Sequence, residues 1–204
     1  MRELKERVTE ELRARALTRR RITRAWIDPI NRWFVVDAAG GARADELVET
    51  LRDTLGSLPV DFLETERTPH ASMAAWLMLG DAPERFSIDQ DLELQTVDKT
   101  KATVRYVRHP LEGKEIQQHL SSGKYATRLG LTWNDRISFV LTEKLQLKRL
   151  QFLDIKDKPD GESVSPEEQF DIDFTLMTGE LAQLLNDLSE ALGGEAGQPK
   201  QQAA

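Results

Sequence analysis

The stretch KYATRLGLTWNDRISFVLTEKLQLKRLQF, residues 124–152, decides the fold. It holds three short apolar–polar alternations, Lys124–Trp133, Arg136–Leu141 and Gln146–Phe152, each of strand length and each ended by a turn signal. Asn134-Asp135 suits a two-residue hairpin turn, because both residue types tolerate positive φ. A β-meander is therefore expected. Working upstream, Asp91–Val97 and Ala102–Val107 read as strands around Asp98-Lys99-Thr100, and Gly113–Leu120 reads as a short helix. Further back, Ala71–Leu79 and Ala42–Leu55 read as helices, the second stopped by Gly56. Leu58–Leu63, Ile22–Asp28 and Trp33–Ala38 read as strands, the last two joined around Pro29–Arg32. Residues 2–16 carry Leu4, Val8, Leu12 and Ala16 at i+4 steps, a narrow helical stripe.

Downstream, residues 156–166 are polar and contain Pro159, Gly161 and Pro166, which predicts a loop. The last element has the clearest period: Phe170, Phe174, Met177, Leu181, Leu184, Leu188 and Leu192 line one face of a long helix before Gly193-Gly194. The sum is an α+β protein, a mixed or antiparallel sheet with a β-meander, flanking helices and a long C-terminal helix. The organisation expected is a helical arm with a basic segment at 1–24, a body at 25–195 with a subdivision near 98, and a polar tail at 196–204. Trp26, Trp33, Trp76 and Trp133 fall on apolar faces and read as core.

Composition excludes much. Among 204 residues there is no cysteine, which removes disulfides, thiolate metal sites and cysteine nucleophiles. His70, His109 and His119 contain no pair at the i, i+4 spacing of a helical metal site. Ser122-Gly123-Lys124 echoes a phosphate-binding loop, but Gln118 stands where that loop needs glycine and Tyr125 where it needs Ser or Thr. Asp171 and Asp173 are two apart on a helix and diverge. Asp28 and Asp37 end neighbouring strands; they read as turn-flanking residues, with a metal-dependent nuclease pair as a distant alternative. No cofactor is expected. No run of 18 apolar residues and no apolar stretch behind Met1 is present, so a cytosolic protein without a membrane partner is the expectation.

Net charge is −7, yet its distribution is uneven. Residues 1–24 carry nine basic and four acidic side chains, 25–98 five and fifteen, 99–149 eleven and four, and 150–204 three and twelve. Two basic blocks thus alternate with two acidic ones. Screening over about 8 Å at physiological salt lets a basic surface bind a polyanion on an acidic body. A mixed charged surface without a partner accounts for the charge equally well.

Within the second basic block, strict alternation would put Lys124, Ala126, Arg128, Gly130 and Thr132 on one face. The two cations would then lie about 13 Å apart, flanked by small residues that let a ligand approach. Arg105, Arg108 and His109 lie on or just after the preceding strand. Cations without glutamate partners on their face suit phosphate contacts, which carry no base specificity. A second candidate is Arg19-Arg20-Arg21 with Arg24.

Several stretches together resemble one family. They are Asp171-Ile-Asp-Phe-Thr-Leu-Met-Thr-Gly-Glu-Leu181 continuing to Glu195, Ala25-Trp-Ile-Asp28, Leu55-Gly-Ser-Leu-Pro59, Gly123-Lys124 leading to Trp133, and Leu147-Lys-Arg-Leu150. In this order, from about residue 4 to 195, they resemble the recombination-associated RdgC family of bacteria. The resemblance implies a noncatalytic, sequence-independent DNA clamp: a ring-shaped homodimer around duplex DNA, in the cytoplasm at the nucleoid, restraining RecA indirectly by occupying DNA. Single-stranded DNA is a second expected ligand form. It also implies that Arg108, His109 and Lys124 fall on positions lining the positive hole. The family pattern carries about a hundred residues ahead of the part matched here, and these build part of the ring. Where it reads leucine-leucine-proline-arginine-alanine-phenylalanine, this chain reads Leu12-Arg-Ala-Arg-Ala-Leu17, so Leu17 replaces a phenylalanine of a subunit contact. An alternative from another class is a protein-interaction module or remnant without ring closure.

Overall fold

A computed structural model of the chain describes residues 2–17, 21–153 and 165–197. Arg19, Arg20, most of the loop expected at 156–166 and most of the tail at 196–204 lie outside the described residues. The chain forms two compact units, Met1–Val60 and Asp61–Ala204.

The first unit contains α1 (Arg2–Arg15), β1 (Arg24–Asp28), β2 (Trp33–Asp37) and α2 (Gly41–Leu55). The hairpin β1–β2 is antiparallel. Its turn is held by Asp28, whose Oδ1 accepts from the backbone N–H of Ile30 and Asn31, each at 3.0 Å. The Asn31 side chain also donates to Oδ2 at 2.7 Å. Together these hold the Asp28 carboxyl below its ordinary range, the Asn31 side chain contributing most. Gly56 ends α2 with φ 76°, as the sequence anticipates. Every fully buried hydrophobic side chain among the described residues belongs to the second unit. The strand expected at Leu58–Leu63 does not form. The segment has apolar residues for a strand but no neighbouring edge to pair with, so it stays irregular.

The second unit comprises α3 (Pro69–Leu79), β3 (Phe86–Thr96), β4 (Thr103–Tyr106), α4 (Lys114–Ser121), β5 (Lys124–Trp133), β6 (Ile137–Thr142), β7 (Leu147–Phe152) and α5 (Pro166–Ala191). The five strands make one antiparallel sheet in the order β4-β3-β5-β6-β7. The meander forms as expected, with Asn134 and Asp135 at φ 50° and 54°, the mirror-image turn that matches strand twist. One sheet face carries the core: Leu92, Leu94, Ala126, Leu129, Leu131, Trp133, Ile137, Phe139 and Leu141 are all buried. Met73, Trp76 and Leu77 of α3, Ile116 of α4, and Leu184, Leu188 and Leu192 pack on it. The opposite face is polar, the usual division for an antiparallel sheet covered on one side.

Two elements start earlier than the sequence suggests. β3 begins at Phe86 rather than Asp91, because Asp89 and Asp91 are accommodated in a bulge opposite Gly130. α5 begins at Pro166, which occupies the first helical turn behind a capping box. Ser165 Oγ accepts from the Glu168 N–H at 3.2 Å, and the Glu168 carboxylate accepts from the Ser165 N–H at 3.1 Å. Only the C-terminal half of the α5 stripe reaches the core; Phe170, Phe174 and Leu176 are exposed.

Trp133 donates its indole N–H to Asp187 Oδ2 at 2.7 Å, and Arg85 Nη1 contacts both oxygens of that carboxylate at 3.1 Å. This ties α5 to the sheet. Behind α5, Glu66 N–H donates to Gly194 O, Arg67 N–H to Leu192 O, and Ala196 N–H to Glu64 O. Thr65 and Glu195 form an antiparallel bridge.

Candidate nucleic-acid interface

Strand β5 decides where the predicted cations point, and it is not a plain alternation. Lys124 pairs with Thr96, Tyr125 with Gln95 and Ala126 with Leu94, but Arg128, not Thr127, faces Glu93. Thr127 is the extra residue of a β-bulge, and it shifts the parity of everything after it. Ala126 and Leu129 consequently share the core face. Lys124 is then on the helix-covered side and Arg128 on the polar side. The expected common face for these two cations is corrected by one inserted residue.

On the polar side the expectation of arginines without glutamate partners is also corrected. Arg105 Nε donates to Glu93 Oε2 at 2.9 Å, with Nη2 on the same oxygen. Arg128 Nε lies 3.8 Å from Glu93 Oε1, and Thr127 Oγ1 donates to that oxygen at 3.0 Å. Burial pushes the Glu93 carboxyl up, but the Arg105 and Thr127 hydrogen bonds and the Arg128 charge outweigh it, leaving it below its ordinary range. Next to this cluster, Arg149 Nη1 donates to Asp91 Oδ2 at 2.8 Å. Thr132 Oγ1 donates to Asp89, whose carboxyl is raised by burial against that hydrogen bond and further by the Asp91 charge. A Cβ on Gly130 would lie 3.1 Å from Asp89 Cβ and 3.3 Å from Asp91 Cβ. The small residue thus makes room for two carboxylates of the same chain, not for an incoming ligand.

On the other side, Lys124 Nζ lies 3.0 Å from His119 Nδ1. His119 Nε2 faces Glu115 Oε1 at 3.9 Å, and Tyr106 OH donates to Glu115 Oε1 at 2.9 Å. Burial, then Glu115, pushes the Tyr106 phenol up to about 12. The Tyr106 ring also sits 5.5 Å from the His109 ring and 6.4 Å from the His119 ring. A continuous string of side chains therefore joins Lys124 to His109. Arg108, at φ 52°, is fixed through its backbone N–H to Asp91 Oδ1 at 3.3 Å, while its guanidinium is exposed and has no ion pair among the described residues. Arg21 and Leu17 are exposed residues of the first unit.

The antiparallel order reveals cations that a linear reading misses. The β3–β4 turn, the start of β5 and the β6–β7 turn all fall at one end of the sheet. That end collects Lys99, Lys101, Lys124 and Lys144, with Asp98 and Glu143. Asp98 is occupied in bracing its turn, accepting from Thr96 and Thr100 hydroxyls at 2.6 and 2.5 Å; these two, Thr100 foremost, hold its carboxyl low. Once hairpins are assigned, strand direction alone places these lysines together.

The alternative acid pair does not assemble. Asp28 faces Trp33 and Asp37 faces Arg24, so the two carboxylates stand at opposite ends of the β1–β2 hairpin. Among the described residues no three His, Asp or Glu side chains are grouped to hold a metal ion, and no helix is long and apolar enough to cross a membrane.

The second unit is a one-sided α+β sheet with a lysine-rich end. The family resemblance read from its motifs has independent support: the chain belongs to the RdgC family, whose model, described as "Putative exonuclease, RdgC", matches residues 1–195. Relatives named recombination-associated protein RdgC include those of Dechloromonas aromatica (strain RCB), 54% identical over 98% of this chain and 67% of the relative. Another is from Cupriavidus pinatubonensis (strain JMP 134 / LMG 1197), 54% identical over 96% and 66%. A third, from Bordetella pertussis (strain Tohama I / ATCC BAA-589 / NCTC 13251), is 49% identical over 96% and 66%. The chain spans about two thirds of the length of these relatives.

Proposed function

We propose that this chain is a noncatalytic, sequence-independent DNA-binding module that modulates RecA-dependent recombination by occupying duplex DNA, at the nucleoid and as a homodimer. The observation that supports this best is the lysine-rich end of the sheet, continued along the β4 edge by Arg108 and His109. The lysines and Arg108 lie at turns and strand ends, where a phosphate backbone has access. Arg105 and Arg128, by contrast, are held by Glu93 and contribute less. Among the described residues, Lys99, Lys101, Lys124 and Lys144 of the lysine-rich end lie on turns and a strand end, not on a helix, so phosphate contact without base readout is the mode this end fits.

Fluorescence anisotropy on a 30-bp duplex, titrated at low and high salt, tests this. Affinity should fall with salt in proportion to the phosphates neutralised, and Arg108→Ala with Lys124→Ala should lower the salt slope by about 2, one for each contact. The losses should be equal on unrelated sequences. No binding at low salt refutes the reading, and an unchanged affinity of the double variant refutes the surface. Magnesium-dependent shortening of the duplex would instead support the exonuclease named in the family description.

A second reading, a protein-interaction module, is favoured by the exposed apolar side chains Leu4, Val8 and Leu12 of α1 and Phe170, Ile172, Phe174 and Leu176 of α5. Phe170 and Phe174 stack on each other with ring centroids 5.8 Å apart. Light scattering decides between them: a dimer that binds DNA supports the first, a monomer or aggregate that does not supports the second.

A further inference from the structure

The string of groups behind Lys124 has a defined hydrogen-bond polarity. A lysine ammonium only donates, so in the 3.0 Å contact His119 Nδ1 is the acceptor. The ring is then neutral and carries its hydrogen on Nε2, which faces Glu115. Glu115 in turn accepts from Tyr106, whose raised phenol keeps its proton. The roles are thus set: Tyr106 donates to Glu115, His119 accepts from Lys124, and His119 Nε2 faces the Glu115 carboxylate at 3.9 Å without a hydrogen bond. The groups around His119 are Glu115 on α4, Tyr106 on β4 and Lys124 on β5, with His109 behind Tyr106. α3, which also packs on α4, brings only His70, and that ring lies edge-on to Tyr125 at 5.9 Å instead.

We propose that His119 is a positioning residue for Lys124: its ring accepts through Nδ1 and holds the ammonium at the basic end of the sheet. This rests on the DNA-binding reading only for its effect on affinity. The hold fixes one long side chain in the bound geometry before DNA arrives, which reduces the ordering cost of that contact.

Two measurements on the full chain test the proposal separately. Long-range 1H–15N spectra of histidine-labelled protein at pH 8 should show His119 as the Nε2–H form, with Nδ1 shifting in Lys124→Met. An Nδ1–H form, or no shift, overturns the proposal whether or not the chain binds DNA. In anisotropy at pH 8 and low salt, His119→Ala and Lys124→Met should each weaken duplex binding by up to about fivefold, the range of one exposed ion pair. The double variant should be no weaker than Lys124→Met alone. His119→Asn, which places an acceptor near the position of Nδ1, should recover the affinity. Additive losses, or His119→Asn as weak as His119→Ala with both folded by circular dichroism, overturn it. Absence of DNA binding by the unaltered chain refutes the function reading and leaves the spectra to decide the role of His119.

Discussion

Replacing Glu93 by Gln separates what the polar sheet face contributes to stability from what it contributes to binding. The carboxylate side chain is only 13% exposed and takes hydrogen bonds from Arg105 and Thr127, with Arg128 close by. Glutamine keeps the volume and one acceptor oxygen but removes the charge. The contacts with Arg105 and Arg128 change from charge–charge to charge–dipole, each weaker by about 0.5–1 kcal/mol. The arginines are 58% and 52% exposed, so screening trims the total to about 1 kcal/mol. For a chain of this size that lowers Tm by about 3 °C. Because the folded-state carboxyl is depressed, its contribution is complete above the unfolded value and disappears as pH falls through the folded one. The gap between the two proteins should therefore be open at pH 7 and start to narrow as pH falls below the ordinary glutamate value, about 4. Thermal melts followed by circular dichroism at pH 7 and 3.5 measure both. A gap that persists unchanged at pH 3.5, or a variant more stable at pH 7, refutes the assignment of Glu93 as the anion that holds this face.

Other outcomes follow from single contacts. Gly130→Ala pushes a methyl group against Asp89 and Asp91 Cβ and the Asp91 carbonyl, and should destabilise by about 1–3 kcal/mol in urea titrations; a neutral or stabilising result refutes the close approach. Trp133→Phe leaves Asp187 with Arg85 alone and should cost about 1–3 kcal/mol, with faster amide exchange at the C-terminal half of α5; unchanged exchange there argues that the indole does not anchor the helix. Arg108→Ala with Lys124→Ala should leave the melting temperature within about 2 °C while weakening DNA binding, and a large loss of stability would disqualify that pair as a binding probe.

The elements that follow a simple period were legible in the sequence. The Asn134-Asp135 turn needs two residues tolerant of positive φ, and the Leu184, Leu188, Leu192 face needs helical spacing; both are local. What was not legible depends on pairing. Thr127 looks like any strand residue, and only its partner strand shows that Glu93 meets Arg128. That single insertion moves Lys124 and Arg128 to opposite faces and hands Arg128 a carboxylate. Asp89 and Asp91 read as polar interruptions, whereas the space above Gly130 admits them into β3. Leu58–Leu63 has strand composition without a neighbour. The lysines at 99, 101 and 144 are scattered in sequence and meet only because hairpins return to the same end of a sheet. Residue composition located the basic block, and register decided which of its members are available.

The bridge between Thr65 and Glu195 has a topological consequence. The second unit enters and leaves through the same doorway, so its backbone is nearly a closed circle. Such a circle can be cut and rejoined: a short linker across the 65–195 join, with new ends opened at Asn134-Asp135, preserves every strand pairing except the β5–β6 turn. The same closure makes the unit an insertable cassette, able to sit within a loop of another protein without spreading its host's chain.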